Sequence, residues 1–294
     1  MKLRPVIAFC LGLASGVLPL VANPGPPLRA GEMLRFSVSW AIVPGAGEIE
    51  INAAANGPDQ IKIISSTTTR RLARMLLPFD ATAESVYDAR TGDLLSLHER
   101  SKTRGKVQEH LVTFNYTNRQ ANYVPVGGEG GPRILEMPPG SPTDLISALL
   151  STRDWNLQPG DKRDVLVLFD DDFYELTIHA LRYEEVRNRL GRFNTLVLQP
   201  RMEKTPPKGM FKRGSTVQVW IAQDAQRLPI KFEVEFNIGT GTANLVAYNS
   251  PTEPVAGGAG PQIAAPAAAG TMTPGPQSPS PGSPTNTSST APGR

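Results

Sequence analysis

Apolar and polar residues alternate along much of the middle of this chain. In residues 34–40 and 230–238 every second residue is apolar and the residues between them are polar, which is the period of a β-strand that buries one face. Turn residues separate such runs at short intervals, and the runs do not alternate with long helices. The pattern predicts a mainly β chain with about ten antiparallel strands joined as hairpins.

One predicted hairpin can be tested by its own register. If Arg104 and Gly105 form a two-residue turn, apolar residues of one strand face apolar residues of the other, whereas a shift of one residue mixes the two faces. The predicted opposed pairs are Leu95–Phe114, Leu97–Val112, Glu99–His110 and Arg100–Glu109. We expect the Glu99–His110 pair where the inner face of the hairpin meets solvent.

Two segments have helical patterns. In residues 141–144, Ser-Pro-Thr-Asp, the serine can cap a helix and the proline can occupy its first position, and an apolar stripe follows. This helix, from Thr143 to Thr152, is too apolar to lie in solvent, so we expect it on the concave side of a curved sheet. A shorter helix is predicted from Arg70 to Leu77, where a proline follows.

The two ends of the chain differ in composition from the middle. Residues 1–22 have a basic start, an apolar run and small residues near its end, as in a cleaved secretory signal. Residues 251–294 contain 10 Pro, 8 Ala, 7 Gly, 6 Thr and 5 Ser, and such a segment cannot bury enough apolar surface to fold. The expected organisation is a signal peptide at 1–22, a linker at 23–30, one β-rich domain at 31–250 and a disordered tail at 251–294.

Cysteine content and net charge indicate the cellular compartment of the protein and exclude one class of partner. Cys10 is the single cysteine and lies in the expected signal, so the exported chain has no disulfide, which fits the periplasm of a Gram-negative bacterium. With 30 basic and 27 acidic residues the formal net charge is +3. This is too small for sequence-independent binding of nucleic acid, which needs many clustered cations.

The sequence contains no local motif of a hydrolase nucleophile, a phosphate loop, a dinucleotide site or a zinc protease. His98, His110 and His179 are scattered over predicted strands, and only His110 has a predicted partner. Asp170-Asp171-Asp172 could supply oxygen ligands to calcium, but it separates two apolar runs and is predicted as a turn. No catalytic, cofactor or metal residue is assigned, and the ligand-binding residues are unknown at this point.

Two segments combine basic and apolar residues, one from Arg70 to Leu77 and the other from Lys204 to Arg213. This composition suits peripheral contact with an anionic lipid surface or with an acidic partner. The alternative is a plug helix whose arginine stems cover sheet edges, together with a solvated hairpin tip.

Several short motifs follow one another in a recognisable order. They are Trp40, Gly45-x-Gly47, Asp144-x-x-Ser147, Arg153, Gly160, Trp220-x-x-x-Asp224-x-x-x-Leu228-Pro229 and Ile238-Gly239. Together they resemble the bacterial envelope family catalogued as domain of unknown function 3108, over residues 31–248. The resemblance implies an exported β-rich domain with a strongly curved antiparallel sheet or half-barrel packed on one short α-helix, similar in outline to periplasmic lipoprotein carriers. It implies no established activity, so it assigns no catalytic residue.

Four functions are compatible with this sequence. The first is a non-enzymatic periplasmic protein that binds an apolar or lipid-like envelope component, or a lipoprotein, on the concave face without a cofactor. The second is a structural or scaffolding envelope protein that binds protein partners without a small ligand. An outer-membrane barrel fits the strand number, but the apolar helix interrupts the lipid-facing band that such a barrel needs. A hydrolase assembled from residues without a local motif is the fourth.

Overall fold

The computed structural model describes residues 25–41, 43–127, 130–207, 211, 215–236 and 239–251. The chain divides into two units, Met1–Glu253 and Pro254–Arg294, and all described residues belong to the first. The expected signal at 1–22 and the expected tail beyond Pro251 lie outside the described residues. In the segment 23–30, expected as a linker, Leu28 is 1% exposed in the core, so packing begins before the first strand.

Fourteen strands form a single antiparallel sheet in the described part of the chain. They are β1 Met33–Trp40, β2 Val43–Ala55, β3 Gln60–Thr69, β4 Phe79–Asp88, β5 Leu94–Thr103, β6 Lys106–Asn115, β7 Gln120–Pro125, β8 Arg133–Glu136, β9 Lys162–Phe169, β10 Asp172–Asn188, β11 Gly191–Arg201, β12 Thr216–Ala222, β13 Pro229–Phe236 and β14 Gly239–Asn249. The mainly β prediction is confirmed, but the predicted number of about ten strands is too low. Strands such as β4 and β14 have alanine or glycine at several inward positions, for example Ala81, Ala83 and Gly241, so their apolar alternation is weak.

The chain enters the sheet in its middle. β1 pairs with β2 on one side and with β14 on the other, and the strand order is β8-β7-β6-β5-β4-β3-β2-β1-β14-β13-β12-β11-β10-β9. β8 and β9 are therefore the two edges, and the sheet of described strands is not closed into a barrel. Nη1 of Arg133 in β8 lies 2.6 Å from Oδ2 of Asp171, in the turn after β9. Contact between opposite edges requires strong curvature, which confirms the predicted curved sheet.

Residues 137–161 cross from β8 to β9 and contain helix α2, Leu145–Ser151. One apolar cluster on the concave face comes mainly from β1–β7, β13 and β14 and includes Leu150 of α2. A second cluster comes from β9–β12 and includes Ala148 and Leu149 of the same helix. Helix α2 thus lies on the concave side, as expected, and contacts both clusters.

The predicted hairpin register is largely confirmed. Three predicted pairs are present, namely Leu97–Val112, Glu99–His110 and Arg100–Glu109. The ladder between β5 and β6 begins at Ser96, so Leu95–Phe114 lies outside it. A register shift where β5 pairs with β4 brings Leu94 to the core instead, and this side chain is 0% exposed.

Both predicted helices are present, α1 as Arg71–Leu76 and α2 as Leu145–Ser151. The predicted cap of α2 by Ser141 is wrong, because Asp144 is the cap residue. The backbone of Thr143 pairs with β9, donating to Leu166 and accepting from Leu168, so α2 cannot begin earlier. No helix among the described residues is long and apolar enough to span a bilayer.

Candidate functional site

A buried carboxylate holds α2 against the sheet. Asp144 is 4% exposed, and its Oδ1 accepts a hydrogen bond of 2.8 Å from the backbone N–H of Ser147. Its Oδ2 accepts hydrogen bonds from Ser85 Oγ at 2.7 Å and from Tyr87 Oη at 2.9 Å. Burial, helped by the charge of Asp144, raises the pKa of Tyr87, so the phenol stays protonated and can donate. These contacts fix where α2 lies on the concave face.

Helix α2 and the core cover only part of the concave face. Because the strands are antiparallel, successive connections lie alternately at the two ends of the sheet. We call the end that carries helix α1 the α1 end, and its connections include β3–β4, β5–β6, β7–β8 and β9–β10. Toward this end the inward side chains of β3–β7 border a cleft of about 570 Å³. The volume is within the range of small-molecule sites. The concave face is therefore filled by core at one end and open at the other.

Small or apolar residues form the side of the cleft that comes from β3, β4 and α2, which we call its floor. Ser65, Ala81 and Ala83 lie on β3 and β4, and Ile146 of α2 and Phe169 of β9 border it. Because the strand side chains here are small, the sheet leaves space that larger residues fill elsewhere. A ligand with an apolar chain could occupy this space.

Polar and charged groups converge on the β5–β7 side of the cleft. Nε2 of His110 is 3.1 Å from Oε2 of Glu99, close enough for an ion pair with a protonated ring, although this nitrogen makes no hydrogen bond in the present geometry. The imidazole is 8% exposed and stacks on Tyr123 with ring centroids 4.9 Å apart. Arg133, which pairs with Asp171, lies 4.7 Å from the centroid of the Tyr123 ring. We call this polar side of the cleft its wall. Through Arg133 and Asp171 the wall connects the β8 edge of the sheet with the end of the β9 edge.

This arrangement is suited to binding an amphiphile. The Glu99 carboxylate can accept hydrogen bonds, and the His110 ring can donate or accept them, while the neighbouring floor is small and apolar. Among the described residues no serine or threonine hydroxyl is hydrogen-bonded to a histidine ring, the arrangement that activates a hydroxyl nucleophile. Nothing in the cleft indicates catalysis.

A second hollow of about 530 Å³ lies beside the 138–143 segment, near Trp155 and Arg163. Much of its wall is Pro- and Gly-containing loop, and Arg163 stacks 4.6 Å from the centroid of the Trp155 ring. The cleft is the stronger candidate because most of its lining side chains, unlike those of the hollow, project from paired strands.

The three histidines do not share a site. His98 Nε2 lies 3.0 Å from Glu109 Oε1, and His179 Nε2 lies 2.9 Å from Glu203 Oε1. The contact with His98 holds the pKa of Glu109 below its ordinary value. His98 and His179 therefore each have a glutamate partner that the sequence did not predict. His110 has its predicted partner, Glu99.

Asp170 and Asp171 form the predicted turn between β9 and β10, and Asp172 begins β10. Asp170 has a positive φ of 56°, Asp171 pairs with Arg133, and Asp172 accepts from its neighbour Phe173 N–H at 2.9 Å. The carboxylates of Asp171 and Asp172 therefore serve separate contacts. The described residues contain no group of three His, Cys, Asp or Glu that could hold a metal ion.

Helix α1 presents its apolar side chains to solvent. Leu72 is 63% exposed, Met75 81%, Leu76 78% and Leu77 44%, and no residue of α1 is buried. The helix therefore does not plug the sheet, although the side chain of Arg71 lies over Gly45 of β2, as the alternative interpretation of arginine stems on the sheet expects. Helical periodicity groups these residues on one face, but that face points away from the core.

Polar contacts hold α1 in place. Thr69 Oγ1 donates to the carbonyl of Leu77 and accepts from the N–H of Phe79, both at 2.9 Å. Arg74 donates two hydrogen bonds of 2.8 Å to the Asp80 carboxylate. These bonds, with one from Thr68, hold the pKa of Asp80 well below its usual range.

The second basic-apolar segment, Lys204 to Arg213, differs from α1. Lys204 pairs with Asp164 at 3.0 Å and also with Glu175, and Phe211 packs against the second core cluster. Lys208, Met210, Lys212 and Arg213 lie outside the described residues. In the described part of this segment, the Lys204 ammonium and the Phe211 ring therefore contact residues of the sheet.

Several motif residues used for the family resemblance have packing or hydrogen-bonding roles in the fold. A Cβ atom at Gly47 would lie 2.7 Å from the carbonyl oxygen of Thr68, and one at Gly239 would lie 3.4 Å from Trp40 Nε1. Arg153 pairs at 3.0 Å with Glu32, whose side chain is 3% exposed. Asp144, as described above, holds α2.

Sequence reasoning missed Tyr123, Arg133 and the small residues of the cleft floor. A signal for the first two existed, because Tyr123 and Arg133 are opposed in the β7–β8 pairing, and an aromatic residue facing an arginine across a hairpin is a favourable pair. The alanines carry no such signal.

Comparison with known proteins gives a family match and two structural neighbours. The family model described as a protein of unknown function, DUF3108, matches residues 35–246. No curated protein sequence matches the chain. A β-barrel-like protein of domain of unknown function DUF1849 from Brucella abortus is 7% identical, covers 76% of this chain and 98% of its own, and has a TM-score of 0.48. A protein from Bacteroides fragilis titled as exported, with a YmcC-like fold, is 10% identical, covers 78% and 100%, and has a TM-score of 0.30.

Proposed function

The chain belongs to the DUF3108 family of unknown function, and we propose that it is a non-enzymatic binding protein for an amphiphilic, lipid-like component of the bacterial envelope. The observation that supports this proposal is the cleft of about 570 Å³ on the concave face, with small residues on its floor and Glu99 and His110 on its wall. Export to the periplasm through residues 1–22 is part of the proposal.

Binding would depend on burial of the ligand's apolar chain between β3–β4 and α2. Each methylene transferred from water contributes about 0.8 kcal/mol, and the floor residues Ala81 and Ala83 leave the space for it. A polar headgroup would lie at the β5–β7 wall, where Glu99 and His110 offer hydrogen bonds. A molecule that was apolar throughout would cover the Glu99 carboxylate and the His110 ring without offering them a hydrogen bond, so an amphiphile fits better.

The test is native mass spectrometry of the protein purified gently from its own periplasm, followed by extraction of any retained molecule. The matched variants are Ala81→Trp, which fills the cleft, and Ser66→Trp, which places the same side chain on the exposed outer face of β3. We expect a retained amphiphile in the wild type and in Ser66→Trp, and its loss in Ala81→Trp.

Two results would contradict the proposal. One is a wild-type protein that carries no molecule and ignores added envelope lipids; crosslinking to protein partners would then favour the scaffolding alternative. The other is equal retention by both tryptophan variants, because the ligand would then lie outside the cleft. Fractionation of cells with and without residues 1–22 tests export separately.

A further inference from the structure

The exposed helix α1 is part of a larger surface at the α1 end of the sheet, which we call the α1 lip. It consists of α1 with Leu77 and of residues 102–107 at the β5–β6 turn. The two parts are adjacent, because the backbone N–H of Arg104 donates at 3.1 Å to the carbonyl of Pro78, the residue after Leu77. Val107, in the second part, is 48% exposed. The lip therefore combines large apolar side chains from two connections of the sheet.

Cations surround these apolar side chains. The exposed basic residues of the lip and its border are Arg70, Arg71, Arg74, Lys102, Arg104 and Lys106. Two carboxylates face them, with Glu48 2.9 Å from Arg70 and Asp80 2.8 Å from Arg74. The surface therefore keeps a positive surplus beside its exposed leucines and methionine.

This combination fits a lipid surface better than a protein partner. The centre of a protein interface is depleted of charge and enriched in aromatic residues, whereas the lip has no aromatic residue and has many cations. Leu and Met flanked by Arg and Lys are typical of segments that enter the boundary between lipid headgroups and acyl chains. Basic residues next to a bilayer are attracted by anionic lipids.

The lip also lies beside the open part of the cleft. Phe79, two residues after Leu77, and Val107 of the lip both border the cleft. We propose that the α1 lip docks the protein on an anionic lipid bilayer, with the cleft opening beside the docked surface. The docking itself stands on the exposed residues of the lip, and only the idea of ligand exchange at that surface rests on the proposed function of the cleft.

The test is co-sedimentation of the purified protein with vesicles of phosphatidylcholine alone or of phosphatidylcholine mixed with phosphatidylglycerol. The lip variant is Met75→Glu with Leu76→Glu. The matched control is Tyr183→Glu with Leu190→Glu, which places the same two charges at residues 48% and 43% exposed away from the lip. We expect the wild type and the control to bind the anionic vesicles, and the lip variant to lose at least about tenfold in partitioning because burial of apolar side chains drives insertion.

A second pair of variants separates docking from cleft binding. Arg104→Ser with Lys106→Ser is expected to weaken binding to anionic vesicles and to flatten its dependence on salt. Ala81→Trp, which fills the cleft, is expected to bind vesicles like the wild type even if it has lost its ligand.

Three outcomes would overturn the docking inference. The wild type could ignore anionic vesicles, and a crosslink from position 75 to a protein would then identify the lip as a protein interface. The lip variant could bind as well as the control, which would place contact elsewhere on the chain. Ala81→Trp could lose vesicle binding, which would mean that lipid is taken up by the cleft without docking of the lip.

Discussion

The two helices of this protein are similar in length and opposite in environment. α2 has seven residues, an aspartate cap and four buried residues, whereas α1 has six residues, no side-chain cap and none buried. Isolated helices of this size are not stable in water, so each depends on its surroundings. α2 depends on apolar packing and a buried carboxylate, and α1 depends on hydrogen bonds from Thr69 and an ion pair of Arg74.

The difference separates the residues that hold the fold together from those available for binding. Leu150 of α2 is 0% exposed and belongs to the main core cluster, so its apolar surface is used in folding. Leu76 of α1 is 78% exposed, so its apolar surface is still available to a partner. Substitution of a buried residue of α2 should therefore lower the stability of the fold. Substitution of an exposed residue of α1 should leave stability almost unchanged and lower the affinity for a partner.

The largest expected effect is on the packing of α2. Leu150→Ala removes a fully buried side chain and leaves a cavity, so we expect a loss of about 3 kcal/mol in the free energy of unfolding, measured by urea denaturation. Leu76→Ala makes the same chemical change on α1 and should alter stability by no more than about 0.5 kcal/mol. Similar losses for the two variants would contradict the contrast, because they would mean that α1 is also packed.

An intermediate effect is expected at the carboxylate that holds α2. Asp144→Ala removes the cap and the carboxylate that accepts from Ser85 and Tyr87, and it leaves the Tyr87 hydroxyl with Thr143 as its hydrogen-bond partner. We therefore expect a loss of about 2 kcal/mol in the free energy of unfolding. Asp144→Asn should lose less, because asparagine also caps helices. If Asp144→Ala unfolds at the same urea concentration as the wild type, the buried network does not hold α2.

The same contrast explains what the sequence could predict. Both helices follow from local patterns, but periodicity identifies the residues that share a face and not the side toward which that face points. The pattern of α1 therefore left open whether the segment plugs the sheet or contacts a lipid surface, and the structure shows its apolar face exposed. The cap of α2 was misassigned for a related reason, since the pairing of Thr143 with Val167 of β9 is a long-range contact.

The candidate site was only partly predictable. Register places Glu99 opposite His110, and this pair is found at the cleft. The cleft itself depends on Ala81 and Ala83, and alanine gives no sign in a sequence of whether its neighbours fill the space above it. The small residues that weaken the apolar alternation of β4 are thus the ones that leave room for the cleft.

The smallest expected effect concerns the ion pair that holds α1. The pKa of Asp80 in the folded protein is lowered chiefly by its hydrogen bonds from Arg74, so its contribution is present above the unfolded value of about 4 and is lost as the pH falls toward the folded pKa. Asp80→Asn should therefore increase hydrogen exchange of the α1 backbone at neutral pH, with little change in global unfolding. The wild type should lose the same protection progressively as the pH falls below about 4, after correction for intrinsic exchange rates, and the variant should not. Protection of α1 that is equal in both proteins at every pH would show that Thr69, not the ion pair, holds the exposed helix.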